Sequence, residues 1–270
     1  LIDVASPSDY RIVAEQDGLI QATYKDWVVL CTADRRRYLD WIARLIAQKN
    51  LHPLKEFKKS YRDQVALIEP MNERVIYKVS RRERFILQKH LMTFFKDSEA
   101  FATLKSARRL QQKGMKEIYH PFMALEKRRW NMVQETILLY DYVEGQDCIE
   151  YGEKSFPWVI EALKKCHAMG CRHSDAKPRN FIVQNDRVLM IDSRFKRNVM
   201  GRFGEYCDFI TLVDNLPEVG KYIKFNKRNL PYLAAKTYRV IKQNNNVRRF
   251  KQALRAKRSR RFELEQSHSL

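Results

Sequence analysis

His173-Ser174-Asp175-Ala176-Lys177-Pro178-Arg179-Asn180 is the stretch on which the reading of this chain turns. It brings a carboxylate, an ammonium and a carboxamide into one short polar loop. Phe181-Ile182-Val183 follows as a short apolar run, Asn185-Asp186 is a turn signal, and Val188-Leu189-Met190-Ile191 returns. A β-hairpin is the expected result, with Asn180 entering its first strand and Asp192 leaving its second. The two open ends of a hairpin lie side by side, so Asn180 and Asp192 should meet although twelve residues separate them.

The order His-x-Asp-x-x-x-x-Asn, followed by an Asp after a hairpin, resembles the catalytic loop and metal-binding strand of protein kinases. The chemistry explains the residue types. Phosphoryl transfer asks a protein mainly for positioning and charge neutralisation. Asp175 is the candidate base, orienting an acceptor hydroxyl and taking its proton. Lys177 is placed to neutralise charge on the transferred group. Asn180 and Asp192 are candidate Mg²⁺ ligands, since magnesium takes oxygen donors and keeps several waters. A lone Asp-x-x-x-x-Asn would read as an ordinary polar loop; the full set, each residue in its expected loop or strand, favours the chemistry.

Composition bounds the rest. In 270 residues, 44% hydrophobic with 14 Phe and 13 Tyr, there is material for a substantial core in one or two domains. Eight Gly and eight Pro are too few for a fibrous or disordered chain. No apolar run approaches the roughly 18 residues of a membrane span. Leu1-Ile2-Asp3-Val4 has no basic region of a secretory signal, and the missing initial Met leaves trimming or an alternative start open. The five scattered cysteines form no disulfide framework, so a reducing cytosol is expected. Cys166-His167 and Cys171-x-His173 lack the spacing of a zinc finger and read as buried thiols. The net charge of +20 implies an anionic partner.

Along the chain, Tyr10–Ala14 and Leu19–Tyr24 flank the turn Gln16-Asp17-Gly18, and Trp27–Cys31 is a further apolar strand. Tyr38, Trp41, Ile42, Leu45 and Ile46 recur at helical spacing, predicting a helix over 34–49. Gln64–Glu69 and Arg74–Val79 read as a strand pair around Pro70-Met71-Asn72-Glu73. Lys78 on the second of these is the candidate contact for nucleotide α- and β-phosphates, although a strand Lys is often only a solvated face. No Gly-x-Gly-x-x-Gly precedes it; the corresponding turn, Lys58–Asp63, would have to use side-chain charge instead.

Residues 97–113 predict a helix with Ser98 as N-cap and Gly114 as stop. Glu99 is the acidic residue available inside it to pair with Lys78, but an acid at a helix start also serves the dipole alone, and both readings stand. Met123–Glu126 and Thr136–Tyr140 read as two more strands, after which Asp141, Tyr142 and Val143 occupy the place of an adenine-binding hinge. Residues 157–169 predict an apolar helix leading into the catalytic loop, and Asp208 could brace that loop from below or serve only as an acid at a helix N-terminus. After Asp192 comes Ser193-Arg194 rather than Phe-Gly, and no Ala-Pro-Glu follows, which argues for a small-molecule or glycan acceptor rather than a protein. From Lys221 to Arg261 there are fifteen Lys or Arg and no Asp or Glu. The first half of that segment has the aromatics to pack; 247–262 read as a basic helix suited to an anionic membrane. The usual nucleic-acid-binding signatures are missing, so no nucleic acid is expected.

With these residues placed, the chain resembles the lipopolysaccharide core heptose kinases of Gram-negative bacteria, the heptose(II) kinase family above all. The resemblance rests on Gly18 with Tyr24-Lys25-Asp26, the Val65-to-Val79 strand pair, Tyr142-Val143-Glu144-Gly145, Asp175 to Val183, and Ile191-Asp192. It implies an α+β, bilobal protein-kinase-like fold, with a β-rich small lobe and a larger, mainly α-helical one. The expected divisions are 1–53 as an N-terminal extension, 54–142 as small lobe, 143–245 as large lobe and 246–270 as basic tail. It implies ATP and Mg²⁺ as cofactors, and transfer of the γ-phosphate to a heptose hydroxyl of the inner core. The lipopolysaccharide core glycolipid and the anionic inner face of the inner membrane would be the partners. A kinase for the Kdo sugar or another glycan, or a pseudokinase binding membrane or nucleic acid through its tail, remains the alternative.

Overall fold

A computed structural model of the chain describes residues 10–47 and 51–244, together with 249, 252, 253 and 256. The expected basic helix over 247–262 lies outside the described residues apart from those last four. The chain divides into two compact units, Leu1–Lys105 with His120–Tyr142 and Ser106–Tyr119 with Val143–Leu270.

The first unit is β-rich. Strands β1 (Arg11–Gln16), β2 (Leu19–Tyr24) and β3 (Trp27–Thr32) form a meander. A kinked 3₁₀ stretch, Ala33–Trp41, then runs into α1 (Ile42–Ala47). The single helix expected over 34–49 is therefore two pieces. Arg35 leaves helical geometry at φ −110°, ψ 19°, and its guanidinium reaches Glu73 at 3.2 Å and Asp141 at 2.8 Å. The periodicity was real nonetheless, because Tyr38, Leu39, Ile42 and Leu45 are buried in one core.

β4 (Lys55–Lys59), β5 (Asp63–Ile68) and β6 (Val75–Ser80) follow, then the short helices α2 (Arg82–Phe85) and α3 (Leu87–Met92). Helix α4 (Glu99–Gln112) is capped as expected: the Ser98 hydroxyl accepts the Phe101 N–H at 3.1 Å, and Gly114 leaves the helix at φ +88°. β7 (Met123–Arg129) and β8 (Met132–Asp141) complete one eight-stranded antiparallel sheet, in the order β1-β2-β3-β7-β8-β6-β5-β4. The N-terminal meander is thus a continuation of the sheet that carries Lys78.

Residues opposite one another in an antiparallel pair share a face. Val75, Tyr77 and Val79 therefore lie with Ile137, Leu139, Leu125 and Val29 against Tyr38, Leu39 and Ile42. Tyr77 secures that face by donating its hydroxyl proton to the Leu45 carbonyl at 2.8 Å.

The second unit holds two short sheets and most of the long helices. β9 (Gln146–Asp147) leads into α5 (Cys148–Tyr151), whose first amides are accepted by Asp147 at 2.9 and 3.1 Å. α6 (Phe156–Ala168) buries Val159, Ile160, Leu163, Cys166 and His167. β10 (Cys171–Arg172) pairs with β13 (Lys196–Arg197) around the predicted hairpin, β11 (Phe181–Gln184) and β12 (Arg187–Met190). α7 (Arg202–Asn215) and α8 (Leu230–Gln243) pack through Ile210, Tyr232 and Ala235, tied by Arg239 to Asp214 at 2.7 Å. The expected α+β class is borne out.

β9 also pairs with β11, through Ile182 opposite Asp147. The chain enters this pairing at Gly145, where an added Cβ would lie 2.6 Å from Ile182 Cγ2 and 2.6 Å from the Val183 carbonyl oxygen. The Ile182 side chain can rotate aside; the Val183 backbone oxygen cannot. Gly145→Ala should destabilise by about 1–3 kcal/mol, read as a melting temperature several degrees below that of the parent.

Candidate active site

The loop from His173 to Asn180 is fixed from beneath by one buried carboxylate. Asp208, on α7, accepts the His173 N–H at 2.8 Å and the Ser174 N–H at 3.0 Å, and contacts His167 Nε2 at 3.1 Å. Ser174 sits at φ +73°, an uncommon conformation for a side-chain-bearing residue. The two amides bonded to Asp208 hold the loop in that shape. The sequence reading of Asp208 as a brace is what the structure contains.

Within the loop, Asn180 Nδ2 donates to the Asp175 carbonyl at 2.8 Å, and Lys177 Nζ stands 3.1 Å from the Asp175 carboxylate. Both Asp175 and Lys177 are about half exposed, so their charges face solvent. The Ile191 N–H donates to the Asn180 carbonyl at 2.9 Å, which closes the hairpin base and sets Asp192 next to Asn180 along the chain path. Asp192 takes a left-handed turn at φ +51°.

His173 is fully buried, with its ring 5.2 Å from that of Phe181 and 6.3 Å from that of Phe195. Burial lowers its pKa, so it serves as neutral packing at ordinary pH. Ser193 donates to the His173 carbonyl at 3.1 Å and accepts the Phe195 N–H at 3.1 Å. The chain after Asp192 thus lacks Phe-Gly in sequence, yet it turns a Phe, three residues on, back onto the loop histidine.

The donor set suits magnesium. Asn180 spends its N–H on Asp175 and keeps its carbonyl oxygen; Asp192 adds a carboxylate. Both are hard oxygen donors.

In the first unit, Lys78 is half-buried and shares a face with Val65 of β5 and Leu138 of β8, opposite the face packed on α1. Glu99 forms an ion pair with Lys89 of α3. Glu83, which sequence reading passed over, is buried and accepts the Glu99 N–H at 2.9 Å, so it helps to cap α4 from the segment just after the Lys78 strand. Burial pushes its carboxyl up to about 7, with the Glu99 and Glu126 charges adding to the rise.

At the end of β8, the Tyr142 N–H donates to the Arg74 carbonyl at 2.9 Å. Neighbouring residues in a strand turn their polar groups to opposite sides. The Asp141 N–H and carbonyl therefore face away from β6, while the Tyr142 amide is already committed. The Asp141 side chain is held by Arg35.

The glycine-free turn is shorter than expected, because β4 runs to Lys59. Ser60 caps it, donating its hydroxyl to the Asp63 carbonyl at 3.1 Å and accepting the Asp63 N–H. Asp63 is buried and binds Lys58 at 2.9 Å, Arg82 at 2.8 Å and Ser80 at 3.2 Å. Burial alone would raise its pKa; the bonds from Arg82 and Lys58 outweigh it and hold the carboxyl at about 2. A depressed acid contributes stability above its unfolded pKa and loses it as pH falls through the folded one. Its contribution, about 2 kcal/mol, should be complete above pH 3.8 and fade towards pH 2. Acid titration of thermal stability over that window should flatten in Asp63→Asn. Lys58 is thus occupied in the resting turn, and side-chain charge for phosphates would have to come from elsewhere or from opening this pair.

A cavity of about 730 Å³ in the second unit is lined by Trp158, Lys165, Asn185, Asp186 and Arg187 among others. It lies at the turn end of the β11–β12 hairpin, and none of the predicted site residues lines it.

The family model described as "Lipopolysaccharide core biosynthesis protein (WaaY)" matches residues 19–251. The chain belongs to the WaaY family. The family read from the sequence is therefore borne out. Among solved structures the chain is similar to WaaP in complex with acyl carrier protein, at 13% identity over 85% of this chain and 96% of that one, with a TM-score of 0.49. It is also similar to the PknI kinase domain of M. tuberculosis, at 16% identity over 61% of this chain and 72% of that one, with a TM-score of 0.34. For a WaaY family member the glycine-free turn and the Ser193-Arg194 continuation stand beside an intact Asp175, Asn180 and Asp192. Asp63, Glu83 and Phe195 are the residues that sequence reading missed; each is an isolated polar or aromatic position whose partners lie far along the chain.

Proposed function

We propose that this WaaY family member transfers the γ-phosphate of ATP to a heptose hydroxyl in the lipopolysaccharide inner core. The observation that carries the reading is the Asp208-clamped loop, in which Lys177 and Asn180 both bond to Asp175 while the carboxylate stays half exposed. Asp175 orients the acceptor hydroxyl and takes its proton. Lys177 neutralises charge on the phosphoryl group in flight. Asn180 and Asp192 would hold magnesium, which when bound supplies charge neutralisation at the phosphate oxygens. Lys78 contacts the α- and β-phosphates, with Glu99 as the proposed orienting acid. Asp141 and Val143 offer backbone groups to adenine, with Tyr142 contributing its side rather than its amide.

The acceptor is an anionic glycolipid, and the enzyme works as a peripheral protein on the cytoplasmic face of the inner membrane. Among the described residues no helix is long and apolar enough to cross a membrane. The fifteen basic residues between Lys221 and Arg261 fit an anionic surface.

The test is direct. Purified protein, ATP and magnesium are incubated with core lipopolysaccharide lacking inner-core phosphate, and the glycan is weighed by mass spectrometry. One added phosphate on a heptose is the expected result. ATP binding without transfer to this acceptor would overturn the choice of heptose, and failure to bind ATP would overturn the kinase reading.

A further inference from the structure

One surface of the first unit has no use in phosphoryl transfer. Phe95 is 81% exposed, Trp130 76% and Leu87 71%, and Leu91 and Phe94 are exposed beside them. These residues come from two segments, α3 with its continuation and the β7–β8 turn, that are bonded into one surface. Asn131 Nδ2 donates to the Phe94 carbonyl at 3.0 Å, and Arg128 donates to the Thr93 carbonyl at 2.9 Å. The Val133 N–H donates to the Thr93 hydroxyl at 3.0 Å. The Phe94 and Phe95 rings pack at 4.9 Å.

Trp130 is the telling residue. It occupies the first position of a two-residue hairpin turn, at φ +51°, with Asn131 at φ +59°. Such turns favour Asn, Asp or Gly; a bulky residue there is strained. The chain thus holds a tryptophan in a costly backbone conformation and leaves it 76% exposed to solvent. Strained residues cluster at functional sites, which makes this one a lead. The rim is cationic: the Arg129 guanidinium sits 4.8 Å from the Trp130 ring, and Lys96 is exposed next to Phe95.

Exposed Trp, Phe and Leu with Arg and Lys beside them are the chemistry of a bilayer interface. We propose that this patch docks the protein on an anionic lipid bilayer, with Phe95 and Trp130 seated among the headgroups and Arg129 and Lys96 against lipid phosphates. It is a second contact, separate in sequence from the basic C-terminal segment, and it combines apolar insertion with charge. The membrane location proposed above gains a specific face from it, but the inference stands on the patch itself and is read without any phosphoryl transfer.

The test uses the full chain and sedimented vesicles of phosphatidylcholine with or without phosphatidylglycerol. Binding is expected to the anionic vesicles, and Phe95→Ser with Trp130→Ser should weaken it by about ten- to hundredfold. The phosphotransfer assay on delipidated core oligosaccharide should be unchanged in that variant, which separates this inference from the kinase reading. Bromine-labelled acyl chains should quench the tryptophan emission of the parent, and Trp130→Phe should remove that quenching while vesicle binding persists. Unaltered vesicle binding in the double Ser variant would overturn the proposal. So would quenching that survives Trp130→Phe. A parent that self-associates through these residues, shown by sedimentation velocity with loss in the Ser variant and no effect on vesicles, would assign the patch to a second copy instead.

Discussion

Asp175→Asn is expected to lower phosphoryl transfer by about a thousandfold while leaving the fold and ATP binding as they are. The substitution keeps shape and removes the proton acceptor. Asn at this position can still stand 3.1 Å from Lys177, and the Asp175 backbone carbonyl that receives Asn180 Nδ2 is untouched. The loop geometry should therefore survive. What is lost is the carboxylate proposed to align the acceptor hydroxyl and to take its proton as the bond to phosphorus forms. Single-turnover rates with core glycolipid, beside nucleotide binding followed by calorimetry, separate the two effects. Equal loss of binding and rate would mean that Asp175 shapes the site rather than acting in the chemistry.

The second large effect belongs to Asp208. Asp208→Ala should cost about 3–5 kcal/mol and abolish transfer, although Asp208 touches no substrate in this reading. Its carboxylate accepts two catalytic-loop amides and meets His167, all within the core of the second unit. Removing it leaves buried donors without partners, each costing about 1–3 kcal/mol. It also frees Ser174 from its strained φ of +73°. Asp208→Asn should be milder, because one oxygen remains, but its amide would oppose one of the loop N–H groups. Ser174→Gly in the Asp208→Asn background should restore part of the lost activity, since glycine adopts that φ without penalty. Chemical denaturation and transfer rates on the three variants test this; no recovery with glycine would show that the brace acts through something other than the shape of the loop.

The catalytic hairpin was legible because everything it needs is local. Asp175 through Asp192 spans one loop and one hairpin, the strand period of two is visible in Phe181, Val183, Val188 and Met190, and Asn185-Asp186 supplies the turn with φ of +48° and +55°. The N-terminal strands and α4 were legible for the same reason: Asp17-Gly18 turns, Ser98 caps and Gly114 ends. The 3₁₀ stretch at Ala33–Trp41 was not, because the kink at Arg35 goes with acidic partners some forty and a hundred residues away, Glu73 and Asp141.

Sequence alone thus determined the α+β class and, through its resemblance, the family, and it set Asp175, Asn180 and Asp192 in order along one loop and hairpin, because loop, strand and turn are matters of short-range spacing and hydrophobic period. Tertiary structure alone decided which ionisable groups are buried and with whom. Asp63 became a buried hub for Lys58 and Arg82, Glu83 a buried acid at the start of α4, and Phe195 the ring on His173. The placing of β8 beside β6, which sets Leu138 opposite Lys78, is likewise a product of the assembled sheet. The physical reason is common to all of these. The pKa and role of a charged group depend on the dielectric and the partners around it, and those are fixed only when distant segments meet. Trp130 makes the same point at the surface: in sequence it is one more aromatic residue, and only the folded hairpin turn shows it strained and facing water.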